Sequence, residues 1–424
     1  MWEKLRQIWK SKDLRKSIFF VLIMLVIFRI AAHIPIPGID VANLKDFFAQ
    51  NQILGLLNLF SGGGLENFSI VMLGIGPYIT ASIILQLLAM IIPSLEALSK
   101  EPDGQQRINK YTRFLTLPLA ALQGFSFITL MQRQGGGALI GSLTPFQWVS
   151  AIITVTAGTV FLMWLGELIS EKKIGNGISL LIFAGIIAGL PTALQRFIAT
   201  FDASQAFNML IFLGIAILTI VVVVIITEGQ RNIPVNYARR VRGNKMYGGV
   251  NTHLPLRVNM AGVIPIIFAI SIILIPPMIA QFFVGATTAW VAGGAKFVVN
   301  LFQNQIFYGF FYFIMVFAFT YFYTFVVFHP QQIAENLQKQ GGFIPGIRPG
   351  RHTAQYLQST ANKILLAGAL FLGLIAVLPI IIQPITGISS LAIGGTSLLI
   401  VVAVVIELVK QIDSQLTMRD YDGL

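Results

Sequence analysis

ILGLLNLF (53–60), SGGGLENFS (61–69) and IVMLGIGPYITASIILQLLAMII (70–92) run consecutively, and their reading decides how this chain is built. The first piece is apolar but too short to cross a bilayer, which takes about 20 residues. It halts at Ser61-Gly62-Gly63-Gly64 and the charged Glu66, and an apolar stretch of full spanning length follows, with Pro77 near its start. Irregular, glycine-rich backbone persists at membrane depth only where protein or a water-filled cavity surrounds it. An interrupted apolar pair of this kind is the best sequence pointer to a pathway or a site.

Composition sets the class. Hydrophobic residues make up 55% of the 424 residues and charged residues 11%, against about 25% charged in soluble domains. Mean hydropathy is +0.78. Besides the broken segment, apolar runs lie near 18–36, 70–92, 114–131, 147–169, 178–194, 207–227, 256–284, 306–328, 363–383 and 391–409. Each suits a hydrocarbon core about 30 Å thick. The pattern predicts an all-α polytopic membrane protein with ten spans.

Lys and Arg fix the orientation. With the N-terminus in the cytoplasm, twenty-four of the 29 basic residues fall on the inner side and four (Lys45, Arg133, Arg196, Lys296) on the outer; Arg29 sits within the first span, towards its external end. That asymmetry obeys the positive-inside rule and predicts two cytoplasmic termini. Residues 1–17 read as a basic amphipathic surface segment, and 410–424 as a cytoplasmic tail. The net charge of +12 mostly restates this bias, yet a basic inner face also offers a docking surface for anionic lipid, RNA or an acidic protein.

Two cytoplasmic loops are long, 228–256 and 329–362. The first predicts a protruding basic hairpin, with strands near Ile233–Tyr237 and Lys245–Val250. The second opens helically, then reaches GGFIPGIRPG (341–350), whose glycines and prolines predict a rigid tip carrying a single exposed Arg348.

The chain also echoes itself. GISLLI (177–182) recurs as GTSLLI (395–400), and GIGPYITA (74–81) resembles GVIPIIFA (262–269). The matched spans run in opposite directions, so the echo predicts two inverted five-span halves, 18–195 and 196–409, with function where they meet.

The chemistry that is missing narrows the function. There is no G-x-x-x-x-G-K-[ST] phosphate loop and no H-E-x-x-H, and the four histidines lie at span ends or in loops. There is no cysteine. No enzyme, cofactor or metal site is predicted. Ion-coupled transporters carry ionisable groups at midplane, whereas Glu167, Glu228 and Glu407 lie towards cytoplasmic span ends. Isoleucines stand at the middle instead: Ile79 with Ile83 and Ile178 with Ile182, each pair four apart on one helix face, while Ile267 and Ile400 match Ile79 and Ile182 by the echo. Isoleucine is ordinary on lipid-facing surfaces. The sharper alternative is a constriction that stops ions by dewetting. An inverted-repeat secondary solute transporter and a lipid scramblase remain rival readings.

At NLFSGGGLENFSIVMLGIGPYITASIILQLL (58–88), IGNGISLLIFAGIIAGLP (174–191), HLPLRVNMAGVIPIIFA (253–269), FIPGIRPG (343–350) and GGTSLLIVV (394–402) the chain resembles the SecY/Sec61-alpha family of protein-conducting channels. The resemblance runs essentially from end to end. It implies a channel passing unfolded preproteins across the bacterial cytoplasmic membrane and releasing membrane helices sideways into lipid, powered by a partner. About 57–69 would be a re-entrant plug (Phe60, Ser61, Gly62, Gly63, Gly64, Leu65, Glu66, Asn67, Phe68), made flexible and charged by Gly63, Gly64 and Glu66. Ile79, Ile83, Ile178, Ile182, Ile267 and Ile400 would form the pore ring, and Thr80 and Gln123 polar contacts of a lateral gate. Arg239, Arg240 and Arg348 would engage the SecA ATPase or the ribosome, including its RNA. SecE and SecG subunits, preprotein signal sequences and anionic lipids are the further partners implied.

Overall fold

The computed structural model describes residues 11–36, 58, 61–101, 103–134, 144–199, 206–237, 240–242, 245–247, 251–273, 275–386 and 395–422. The helices are α1 (Lys12–Ala31), α2 (Gly76–Ile91), α3 (Pro93–Lys100), α4 (Gly104–Gln134), α5 (Pro145–Glu171), α6 (Gly177–Ala199), α7 (Ala206–Glu228), α8 (Ile264–Ile273), α9 (Ile275–Phe283), α10 (Ala289–Gln303), α11 (Gln305–Val327), α12 (Pro330–Lys339), α13 (Arg351–Thr386) and α14 (Gly395–Asp422). The strands are β1 (Gln230–Tyr237), β2 (Arg240–Arg242), β3 (Lys245–Tyr247), β4 (Asn251–Arg257) and β5 (Gly342–Phe343). Among the described residues, Pro145–Glu171, Gln305–Lys339 and Arg351–Ile382 are long and apolar enough to cross a membrane; Gly76–Ile91, Gly177–Pro191, Leu213–Glu228 and Ile264–Pro277 are shorter apolar helices.

The chain divides into two compact units. One holds 1–207, 274–302 and 387–424; the other holds 208–273 and 303–386. In the first, α2 packs on α4, α4 on α5, α5 on α6, and α14 on α6. Local chemistry starts these helices. Thr144 and Gln147 form a capping box at the head of α5, with Pro145 in its first turn. Within the helices, threonine hydroxyls donate back to the carbonyl four residues earlier, as Thr116 does to Thr112 and Thr159 to Val155. Those two hydroxyls are thereby satisfied within their own helices.

In the second unit α11 packs along α13 and α8. Phe268 of α8 meets Phe319 and Tyr323 of α11 edge-on. The same unit holds the antiparallel sheet β4-β1-β5. Ile233 and Val235 of β1 alternate inward, forming with Leu256, Leu337, Ile344 and Leu357 a small core beneath the sheet.

Three sequence expectations change. The span expected over 70–92 is helical only from Gly76, because 61–75 is a chain of turns with left-handed backbone at Gly62, Gly63, Phe68 and Gly74. The run 256–284 opens with the end of β4 and an irregular stretch, and is helical only from Ile264. The hairpin is longer than its predicted strands: β1 pairs with β4, from Gln230↔Arg257 to Asn236↔Asn251, while β2 and β3 form a separate inner pair. The apolar alternation of Leu254 and Leu256 opposite Ile233 and Arg231 fixes that register, since a slip of one residue would turn both leucines outward. Pro234 is tolerated in β1 because β5 pairs only with Asn236 and Tyr237, leaving Pro234 with a neighbour on one side.

Candidate functional site

The turn segment 61–75 is held by a dense set of hydrogen bonds. Asn58 organises it. Its carbonyl accepts from Gly63 N (2.8 Å) and Ser61 Oγ (3.0 Å), its Oδ1 accepts from Glu66 N (2.9 Å), and its Nδ2 donates to Glu66 Oε2 (2.9 Å). Ser61 Oγ then accepts from Leu65 N at 3.1 Å. Two glycines at φ +70° and +80° let the chain reverse within this network. Glu66 is thus paired with Asn58.

Further along, Ile36 N donates to Phe68 O and Ile70 N to Ile34 O, both at 3.0 Å, so that Pro35 bridges Ser69. Leu65, Phe68 and Met72 then enter a core made with Ile36, with Phe127, Ile128 and Met131 of α4, and with Ala151 and Val155 of α5. Phe68 is 0% exposed although its φ is +46°, a backbone region costly for an aromatic residue. Packing overrides local preference there. Of the nine residues singled out, Ser61 to Phe68 thus form one hydrogen-bonded, packed body; Phe60 lies outside the described residues.

The isoleucines fall on four helices. Ile83 of α2, Ile182 of α6 and Ile400 of α14 are buried, at 2%, 3% and 1% exposure, while Ile79, Ile178 and Ile267 are half-buried. Ile178 lies across Gly166 of α5, where the missing side chain makes room for it. Five of the six belong to the first unit, and Ile267 belongs to the second. Thr80 Oγ1 donates to Gly76 O within its own helix at 3.0 Å, and Gln123 is half-buried on α4. Gln86 of α2 was missed from sequence: its Nε2 donates to Ser82 Oγ, and its Oε1 is buried with no hydrogen-bond partner.

On the second unit, Arg348 is exposed at the turn between β5 and α13. Gly346 and Gly350, at φ +80° and +91°, shape that turn. Thr353 Oγ1 ties it down by donating to Arg348 O at 2.9 Å, and Ile344 anchors it in the core beneath the sheet. Arg348 is the one arginine within 341–350, and Arg351 beside it, the first residue of α13, is exposed as well. Arg240 pairs opposite Tyr247 in the inner hairpin; Arg239 lies outside the described residues.

The SecY family model matches residues 69–409. The chain is 43% identical over 432 residues to the protein translocase subunit SecY of Streptomyces scabiei, covering 98% of each chain. It is 42% identical to that of Thermus thermophilus, covering 99% of this chain and 97% of the other. Its fold resembles a SecY structure whose plug domain is described as stabilising the closed channel and maintaining a membrane seal (TM-score 0.62, 20% identity, 93% and 90% covered). It also resembles Sec61 in the canine ribosome–channel complex (TM-score 0.57, 19% identity, 93% and 90% covered). At those two identities the likeness is one of fold.

Proposed function

The chain belongs to the SecY family, and from that premise we propose that it is the channel-forming subunit of a protein translocase, a multi-pass membrane protein that passes unfolded preproteins. The observation that carries this reading is relatedness along the whole length, with 98% of both chains aligned to a translocase subunit. The chemistry agrees. An apolar passage lined by isoleucine seals by dewetting, yet grips no particular side chain, which suits a conduit for many sequences.

The finer assignments follow on the same footing. A segment of about 57–69, including Phe60 to Phe68, acts as the plug of the resting channel. Ile79, Ile83, Ile178, Ile182, Ile267 and Ile400 form the ring, within ten spans arranged as inverted halves 18–195 and 196–409. The span containing Thr80, with the helix bearing Gln123, borders the lateral gate. The basic loops carrying Arg239, Arg240 and Arg348 receive the ATPase motor or the ribosome, and two small partner subunits complete the complex in the bacterial cytoplasmic membrane, with both termini cytoplasmic.

The absence of native cysteine allows a direct test. A single cysteine at Ile83 or Ile182 is expected to crosslink to a cysteine in a stalled secretory chain, and one on the exposed face of α1 is not. Failure at every ring position would overturn the channel assignment of these helices.

A further inference from the structure

Arg29 is the single basic residue placed by the sequence inside a span, and such a residue calls for a named partner. Its Nη1 donates to the backbone carbonyl of Gly62. No carboxylate among the described residues forms an ion pair with it. A cation in the last turn of α1 also favours the helix dipole, but that role asks nothing of residue 62. The contact is built from both sides. Gly62 sits at φ +70°, and a β-carbon there would come 2.7 Å from Phe28 Cζ and 3.1 Å from Gly185 Cα of α6. Only glycine brings this turn so close to α1 and α6.

The same stretch of chain holds the rest of the segment. Asn67 Nδ2 donates to Ala32 O at 3.4 Å, and Ile34 and Ile36 pair with Ile70 and Phe68. These attachments differ in kind. The Ile34–Ile36 pairing is backbone to backbone, adjoins the start of α2 and leads into the core around Phe68 and Met72. The attachment at Gly62 depends on one side chain and a turn with no β-carbon.

We propose that Arg29 is the latch of the plug: its bond to Gly62 O holds the 61–64 turn shut, while the pairing of 34–36 with 68–70 is the fixed end about which that turn swings. The proposal rests on the reading of 61–68 as part of the plug. A hydrogen bond to a charged group shifts such an equilibrium by about tenfold to a hundredfold. Arg29→Ala therefore raises the open fraction of the resting channel by about that factor. Arg29→Lys, which keeps the charge but offers a shorter, point-like donor, raises it less. Gly62→Ala breaks the same contact from the other side and matches Arg29→Ala.

The test is resting conductance of the complete translocase in planar bilayers without preprotein, beside the melting temperature of each complex and a control lacking 61–68. Leak from Arg29→Ala and Gly62→Ala, smaller than or equal to that of the deletion, is the expected result. Gly62→Ala decides the matter alone if Arg29→Ala does not assemble. A lowered melting temperature with wild-type conductance would make Arg29 merely structural and overturn the latch. Tight point variants beside a leaking deletion overturn the latch and leave the plug reading standing. A deletion that does not leak overturns both.

Discussion

Gly158 of α5 lies directly against the carbonyl oxygen of Ile70, so close that a β-carbon at 158 would collide with that backbone. The turn segment ahead of α2 is thereby seated on α5 by backbone contact, and Val155 one turn earlier closes the core around Phe68. Gly158→Ala is expected to push 68–72 off its seat at a cost of about 1–3 kcal/mol. Thermal unfolding of the purified complex checks this, and an unchanged midpoint would show that the segment yields without resistance.

Arg113 Nε lies 2.7 Å from Glu167 Oε1, joining α4 to α5, with the side chains 47% and 29% exposed. Water screens a pair so placed, and its coupling is expected to be no more than about 1 kcal/mol. A double-mutant cycle with Arg113→Ala and Glu167→Gln measures it. A coupling of several kcal/mol would mean that membrane or partner excludes water from the pair.

Leu357 of α13 is 0% exposed and fills the core under the β4-β1-β5 sheet. Leu357→Ala is expected to cost about 2–5 kcal/mol locally. The basic loop 228–256 should then be cut faster by trypsin, while α4 and α5 keep their resistance. Equal cleavage rates would show that the sheet is held by other contacts.

Ile182→Asn places an amide where an apolar side chain is now 3% exposed. If this residue belongs to the ring, the variant passes preproteins with defective signal sequences. Export of such a reporter measures the effect, and unchanged stringency together with an unchanged resting leak would remove Ile182 from the ring.

Arg348→Glu reverses an exposed charge on a rigid turn. Motor-driven export in vesicles is expected to stop while the complex stays assembled and the sheet intact, because the side chain projects from the fold and only its carbonyl is used internally. Normal export would exclude the turn as a docking point.

Much was legible in the chain because the bilayer imposes a coarse rule. Length and apolarity located the helices without knowledge of any contact. The stretch 61–75 shows where that legibility ended. Apolarity counted 70–75 into a helix, whereas the positive φ at Gly74 and the pairing of Ser69 with Pro35 hold it in turns. The need for glycine at 62 was equally hidden, because Phe28, distant in sequence, and Gly185 leave no room for a β-carbon there.

The sequence by itself determined the class of protein and, through long matching strings, its family, since these depend on composition, order and spacing. Only the tertiary structure decided which partner answers Arg29, why residue 62 must be glycine, and how Phe68 is kept in an unfavourable backbone region. Those are outcomes of residues far apart in the chain meeting at a few ångströms, and no local pattern encodes such a distance.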